Sequence, residues 1–450
     1  MCRTARKWCA SLVGLLLSVP LGASGQAPAT YPIGRDLPVF RVPDTDANAP
    51  VAEPAEPGGV LTLDSALAAA LLRNPELAAG AYEVRAQEAA VLQAGAHPNP
   101  TVSLETEDVL GSGDYRGFDS AQTTLLVGQL IELGGKRAAR IALASADRDL
   151  ASWDYEVRRI DVLSRTAGAF VDVLAAQERH RLAEEGLEVA RSMQHVASRR
   201  ARSGIATQAE EIRASVAVDV AGVELEHTEH GLATARQRLA AFWAGRTARF
   251  ERASGDLDRL PVTPTEEDLE RRLDESPSVA RWQAELARRD AARERVRSER
   301  IPDVTLHAGP RYLSDPDKAV LVVGVSVPLP LWNRREAALA EANYRVAKLA
   351  AESRAEQVRT AADLAAARVG LEASSEEAHL LRTRVLPGAD RAVEALKGGY
   401  QQGRFAQAEV LDAVRARLAA REQYLEAVTE AHHSAQQIER LTGVPLEVRP

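Results

Sequence analysis

Gly399-Tyr400-Gln401-Gln402-Gly403-Arg404-Phe405-Ala406-Gln407-Ala408-Glu409-Val410-Leu411-Asp412-Ala413 breaks a long run of helix-forming sequence near the C-terminus. It has an echo in the first half of the chain, Arg202-Ser203-Gly204-Ile205-Ala206-Thr207-Gln208-Ala209-Glu210. With Gly204 set against Gly403, Gln208-Ala209-Glu210 falls on Gln407-Ala408-Glu409 without a gap. The chain therefore reads as a duplicated unit, and its two helical turns are expected side by side in space.

Working outward from the second turn, the rest of the chain is helix-rich in composition. Aromatic residues make up only 4% of the 450 residues and methionines number 2, while alanine, leucine, arginine and glutamate dominate. That mixture favours long helices with small packing faces over a bulky globular core. The formal net charge of −8 argues against nucleic acid as a partner.

The N-terminus reads as an export signal over residues 1–25. Arg3, Arg6 and Lys7 precede an apolar run from Cys9 to Leu21 that is too short to span a bilayer, and small residues follow at Ala23, Gly25 and Ala27. Both cysteines, Cys2 and Cys9, fall inside that segment, so the exported chain is expected to hold no disulfide or thiolate site. Neither follows the apolar run, where an acylated cysteine would stand, and no lipid anchor is expected. Residues 26–59, rich in Pro, Ala and Asp, read as an extended arm.

The first repeat is expected over 60–251. A helix begins near Leu61 and restarts at Asn74-Pro75, with Asn74 as cap and Pro75 at the first helical position. His97-Pro98-Asn99-Pro100 ends that helix. Thr101 to Thr106 and part of Thr123 to Ile131 alternate polar and apolar, the pattern of strands. From Gly134 to about Ser203 there is no proline. Leu143, Ala146, Leu150, Trp153, Val157, Ile160, Ala167, Val171 and Leu174 follow a heptad seam there, with polar Ser164 in one seam position. About seventy helical residues would reach roughly 100 Å. A return helix from about Thr207 to Ala244 and an irregular linker at 252–264 close this half.

The second repeat, 265–450, copies the first. Glu275-Ser276-Pro277 matches Arg73-Asn74-Pro75, and Ile301 to Leu306 matches Asn99 to Leu104 at the same offset. Val320 to Leu329 reads as a strand with Leu321, Val323, Val325 and Val327 on one face. Pro387 is expected to kink the second long helix.

Four strands of about ten residues are long enough to cross a bilayer when tilted, but their open edges cannot exist in lipid. Membrane barrels begin at about eight strands. The chain must therefore oligomerise, and three copies supply twelve strands, continued by a tube of long helices. Tyr115, Phe118, Tyr312 and Trp332, near strand ends, are candidates for aromatic anchors at the membrane surface.

Together the duplicated halves, Leu72-Arg73-Asn74-Pro75-Glu76-Leu77, the Pro-Asn-Pro before the first strand, Glu132-Leu133-Gly134-Gly135-Lys136-Arg137 and the turn ending Val410-Leu411-Asp412-Ala413 resemble the outer-membrane efflux protein family of TolC-like outer-membrane factors. The Glu-Leu-Gly-Gly-Lys-Arg stretch and Val327-Pro328-Leu329-Pro330-Leu331-Trp332-Asn333-Arg334 most resemble its cation-efflux, CzcC-like branch. The match covers roughly residues 60–445. It departs from many members of that branch in lacking a lipidated N-terminal cysteine.

The resemblance implies a mainly α fold with a β-barrel portion. It implies a homotrimer with a 12-stranded barrel in outer-membrane lipid and a long α-helical barrel in the periplasm of a Gram-negative bacterium. Its partners would be a periplasmic membrane-fusion adaptor and an inner-membrane RND pump. The two turns would form the periplasmic tip. On that basis Gly204, Ile205, Gly403 and Phe405 are candidates for adaptor contact. Tyr400, Glu409, Asp412 and the first-half equivalent Glu210 are candidates for the pore and gate. Arg213 stands where a first-half copy of Asp412 would be.

Outside the resemblance, His227 and His230, three apart on a helix beside Glu226, have a spacing that could bind a divalent ion, but two histidines on an acidic helix are more often solvated, and no metal site is expected. No phosphate loop, nucleophile elbow or Cys/His cluster occurs, so neither a cofactor nor catalysis is expected. A metal-cation exit duct leads. A drug-efflux or type I secretion duct, and a soluble periplasmic coiled-coil scaffold, are the alternatives.

Overall fold

The computed structural model describes Pro32 and residues 34–42, 55–315 and 317–447. The expected export signal and much of the arm lie outside these residues. The described part of the arm is packed: Leu37 and Val39 sit against Leu71, Leu77 and Leu163, and the Phe40 N–H donates to the Leu71 carbonyl at 3.2 Å.

In chain order the elements are β1 (Gly59–Leu61), α1 (Leu63–Arg73), α2 (Pro75–Ala94), β2 (Thr101–Glu107), β3 (Gln122–Ile131), α3 (Lys136–Arg202) and α4 (Gln208–Ala241). The second half supplies β4 (Phe250–Ala253), α5 (Glu266–Asp274), α6 (Pro277–Ser298), β5 (Val304–Leu313), β6 (Lys318–Ser326), α7 (Glu336–Leu380), α8 (Leu386–Gln401) and α9 (Gln407–Thr442). The restart at Asn74 forms as read: its side-chain oxygen accepts from the Glu76 and Leu77 N–H groups, and its Nδ2 donates to the Phe242 carbonyl at 2.9 Å. That second bond seats the start of α2 on the end of α4. Ser276 caps α6 in the same way, accepting from the Val279 N–H.

One correction concerns the linker. The segment expected to be irregular at 252–264 begins inside β4, which pairs in parallel with β1. Four residues of mixed polarity, Phe-Glu-Arg-Ala, show no alternation that sequence could reveal. The pair forms a collar against α3, where Leu61, Phe170, Trp243 and Phe250 are buried together.

Strands β2, β3, β5 and β6 form one antiparallel sheet in that order. The middle pairing, β3 with β5, joins the two halves, and β2 and β6 are left as edges. One face carries Val102, Leu104, Leu125, Val127, Leu306, Leu321, Val323 and Val325, all exposed. A sheet that turned this face to water would be an aggregation hazard. The last strand ends at Ser326 and not at the expected Leu329, because Pro328 and Pro330 remove the backbone donors a ladder needs. Among the described residues, no helix is long and apolar enough to cross a membrane.

The helix α3 runs unbroken for 67 residues, about 100 Å. Of its expected seam, Ile160 and Val171 are buried within the chain, and the Ser164 hydroxyl donates to the Gln436 carbonyl at 3.1 Å. Its counterpart is interrupted by a π-turn at Leu381–Val385, one turn ahead of the expected kink at Pro387. Helices α4, α3, α9 and α7–α8 lie side by side, with α2 above α4 and α6 above α9. They form a wall four helices wide.

Candidate functional site at the two helical turns

Both turns close by the same backbone device. At the end of α3 the Ile205 N–H donates to the Arg200 carbonyl at 2.9 Å and the Gly204 N–H to the Ala201 carbonyl at 3.0 Å. At the end of α8 the Arg404 N–H donates to Gly399 at 2.8 Å and the Gly403 N–H to Tyr400 at 3.0 Å. This is the Schellman pattern, and it places Gly204 and Gly403 at φ +70° and +75°. Only glycine adopts that conformation without a side-chain penalty.

The return helices start differently. Thr207 caps α4 by accepting from the Glu210 N–H. Ala406 has no side-chain oxygen, so the Glu409 carboxylate reaches back and accepts from the Ala406 N–H at 2.7 Å. A carboxylate at a helix N-terminus is favoured by the partial positive charge there.

The two turns are side by side, joined through Arg200. Its Nη1 donates to the Tyr400 carbonyl at 2.8 Å, and its guanidinium lies 4.6 Å from the centre of the Tyr400 ring. Tyr400 is 2% exposed and packs with Met193 and Val410. Burial pushes its phenol above the ordinary tyrosine value; the Arg200 charge opposes the rise and the Glu210 charge adds to it. The Tyr400 hydroxyl, the Arg200 Nε and the Gln407 Nε2 are buried with no hydrogen-bond partner among the described residues.

The structure thus sets Tyr400 against Arg200, a residue that sequence reading missed, with the Glu210 charge near enough to act on the phenol. Nothing in its spacing pairs Arg200 with Tyr400 until the two turns are packed together. Glu409 and Asp412 are exposed on one face of α9, and Asp412 forms an ion pair with Arg415 at 3.3 Å. Ile205 is 69% and Phe405 41% exposed, and the Phe405 ring rests against Gly399. His227 and His230 lie apart from the turns on α4, where the His230 Nδ1 meets the Glu226 carbonyl at 2.8 Å. Among the described residues no group of three or more His, Cys, Asp or Glu side chains is placed to hold a metal ion. Tyr115, Phe118, Tyr312 and Trp332 are all exposed near the ends of the sheet.

Comparison with known proteins matches the chain to the profile of the family described as "Outer membrane efflux protein" over residues 66–245 and again over 269–444. The chain is 34% identical over 408 residues to the cobalt-zinc-cadmium resistance protein CzcC of Cupriavidus metallidurans, covering 90% of this chain and 96% of that protein. In architecture it is similar to the solved outer membrane protein VceC of Vibrio cholerae, with a TM-score of 0.70 at 17% identity over 86% of this chain and 97% of that one. It is also similar to CusC, with a TM-score of 0.71 at 16% identity over 85% and 92% of the two chains.

Proposed function

The chain belongs to the outer membrane efflux protein family, and from that membership we propose that it is the outer-membrane exit duct of a tripartite efflux system carrying divalent heavy-metal cations. The observation that carries the substrate class is the similarity, over nearly the whole of both chains, to a protein named for resistance to cobalt, zinc and cadmium. Three copies join β2 of one to β6 of the next and close a twelve-stranded barrel. The exposed apolar face of the sheet then turns to lipid. The helical walls close into a tube below it, reaching through the periplasm.

At the free end of the tube the paired turns meet a periplasmic adaptor through Gly204, Ile205, Gly403 and Phe405, and the adaptor connects the duct to an inner-membrane RND pump. Transport through this subunit is passive, with no catalysis and no cofactor; energy enters at the pump. Tyr400, with Glu210 and Arg200, ties the two turns of one protomer together and so resists opening of the mouth. Rings of Glu409 and Asp412 around that mouth favour cations over anions.

Deletion of the gene tests this reading. Tolerance to zinc, cobalt or cadmium should fall and return when the full chain is supplied. Unchanged metal tolerance together with altered drug tolerance or protein secretion would overturn the metal assignment. Recovery of the chain only as a soluble monomer would overturn the duct itself.

A further inference from the structure

His227 and His230 are exposed on α4, and the space in front of them is a groove of about 970 Å³. Its floor is α3 and its sides are α4 and α9. Glu224, Asp172 and Glu422 line it with the two histidines, and so do Arg238 and Arg179, the latter paired with Glu422 at 2.7 Å. Asp172 also lines an adjoining groove of about 550 Å³ that includes His433 of α9, whose Nε2 lies 3.0 Å from the Asp172 Oδ1.

The groove faces inward, and α3 itself shows why. Phe170 and Val173 are covered by the β1–β4 collar, and the Gln177 side chain donates to the Ala253 carbonyl. Asp172 and Arg179, seven residues apart and so on one helical face, point into the groove on the opposite side. A collar placed inside a closed tube of such walls would plug its bore. The collar is therefore outside and the groove is part of the inner wall.

We infer that this inner-wall groove is a transit surface for borderline divalent cations of the zinc, cobalt and nickel type, with His227 and His230 as its imidazole ligands and the Asp172–His433 pair as the next station. The inference rests on the metal-duct reading above. Imidazole nitrogen suits such ions, whereas magnesium prefers oxygen and keeps its waters. The His230 Nδ1 faces the Glu226 carbonyl, so it carries the proton and leaves the Nε2 lone pair free for a metal. A duct must bind its ion well enough to admit it and weakly enough to release it, and two imidazoles without a third ligand meet that need.

Equilibrium dialysis of the detergent-solubilised full-length trimer against ZnCl₂, with MgCl₂ in excess, tests the groove whatever the state of the mouth. Wild type should retain zinc that magnesium does not displace. H227A/H230A should lose at least half of it, and H227A/H230A/H433A nearly all, while the trimer stays intact in size-exclusion chromatography. H227Q/H230Q is the second variant, since glutamine keeps the bulk and polarity of the wall; it should lose as much zinc as the alanine pair. Undiminished zinc in the triple variant, or zinc that magnesium displaces from wild type, would overturn the groove assignment. Metal tolerance of the deletion strain reports separately on the duct reading. Histidine-dependent zinc binding in a chain that fails to restore tolerance supports the groove and counts against the duct reading alone.

Discussion

Arg200 couples the two turns with one hydrogen bond and one face-on contact, and Tyr400 is held by that contact and not through its hydroxyl. The two residues should therefore respond to substitution in opposite ways. Arg200→Ala removes a charged donor and a buried cation–π contact, and it should destabilise the tip by about 2 kcal/mol. Tyr400→Phe deletes a buried hydroxyl that has no partner, and it should be neutral or stabilising by up to about 1 kcal/mol. Chymotryptic nicking near Phe405 reports both: faster in the first variant, unchanged or slower in the second. Faster nicking in Tyr400→Phe would mean that the hydroxyl has a partner. Gly204→Ala and Gly403→Ala belong at the same scale. A Cβ at either position meets no atom within 4 Å, so the cost is backbone strain alone, about 1 kcal/mol each and similar at the two sites. Hydrogen exchange at the two turns should rise by comparable amounts; a much larger effect at one would point to packing that this geometry lacks.

Between elements, the decisive joint is β3 against β5, where the two halves become one sheet. Gly309 lies opposite the gap in that ladder between Thr124 and Val127, and a Cβ there would overlap the Leu125 carbonyl oxygen. Gly309→Ala should cost about 3 kcal/mol or more, because the blocking atom is backbone and cannot swing aside. The expected outcome is loss of the heat-modifiable trimer from outer-membrane extracts. A second joint, α3 to α9, is expected to depend on pH. Asp172 holds His433 above the ordinary histidine value through a side-chain hydrogen bond, burial opposes the rise, and the charges of Asp172 and Glu430 support it. A raised histidine contributes its full stabilisation below the unfolded value of about 6.5 and loses it as pH climbs through the folded value. Neighbouring His432 is lowered by burial and works in the opposite sense. Asp172→Asn removes only the first effect. The protection that wild type gains over this variant, read by hydrogen exchange across residues 430–436, should be larger at pH 6 than at pH 8. Equal gains at the two values would mean that the pair is not charged.

At the scale of the whole duct, charge at the mouth is a balance. Glu409 is engaged at the start of its own helix and Asp412 is shared with Arg415, so the acidic rings proposed for the mouth would be partly offset. Glu409→Ala with Asp412→Ala should reduce cation preference in bilayer conductance, and Arg415→Ala should increase it. Unchanged selectivity in the double variant would remove these residues from the pore.

Sequence alone determined the duplication, the four strands of the large sheet, the long helices and the position of both turns. These follow from local signals: periodicity, prolines and caps act over a few residues and survive in one dimension. Even the π-turn had its sign in Pro387. Tertiary structure decided what those signals cannot carry. The collar strand β4 is too short to show a period and exists because β1 lies alongside it. Arg200 meets Tyr400 only because α3 and α8 end at the same level. Glu409 and Asp412 are alike in sequence, yet one caps a helix and the other shares its charge with an arginine one turn on. His227 and His230 were legible as a pair, but the groove before them needs three helices drawn from both halves of the chain. Contacts between residues far apart in sequence are set by packing, and packing has no signature in the spacing of either partner.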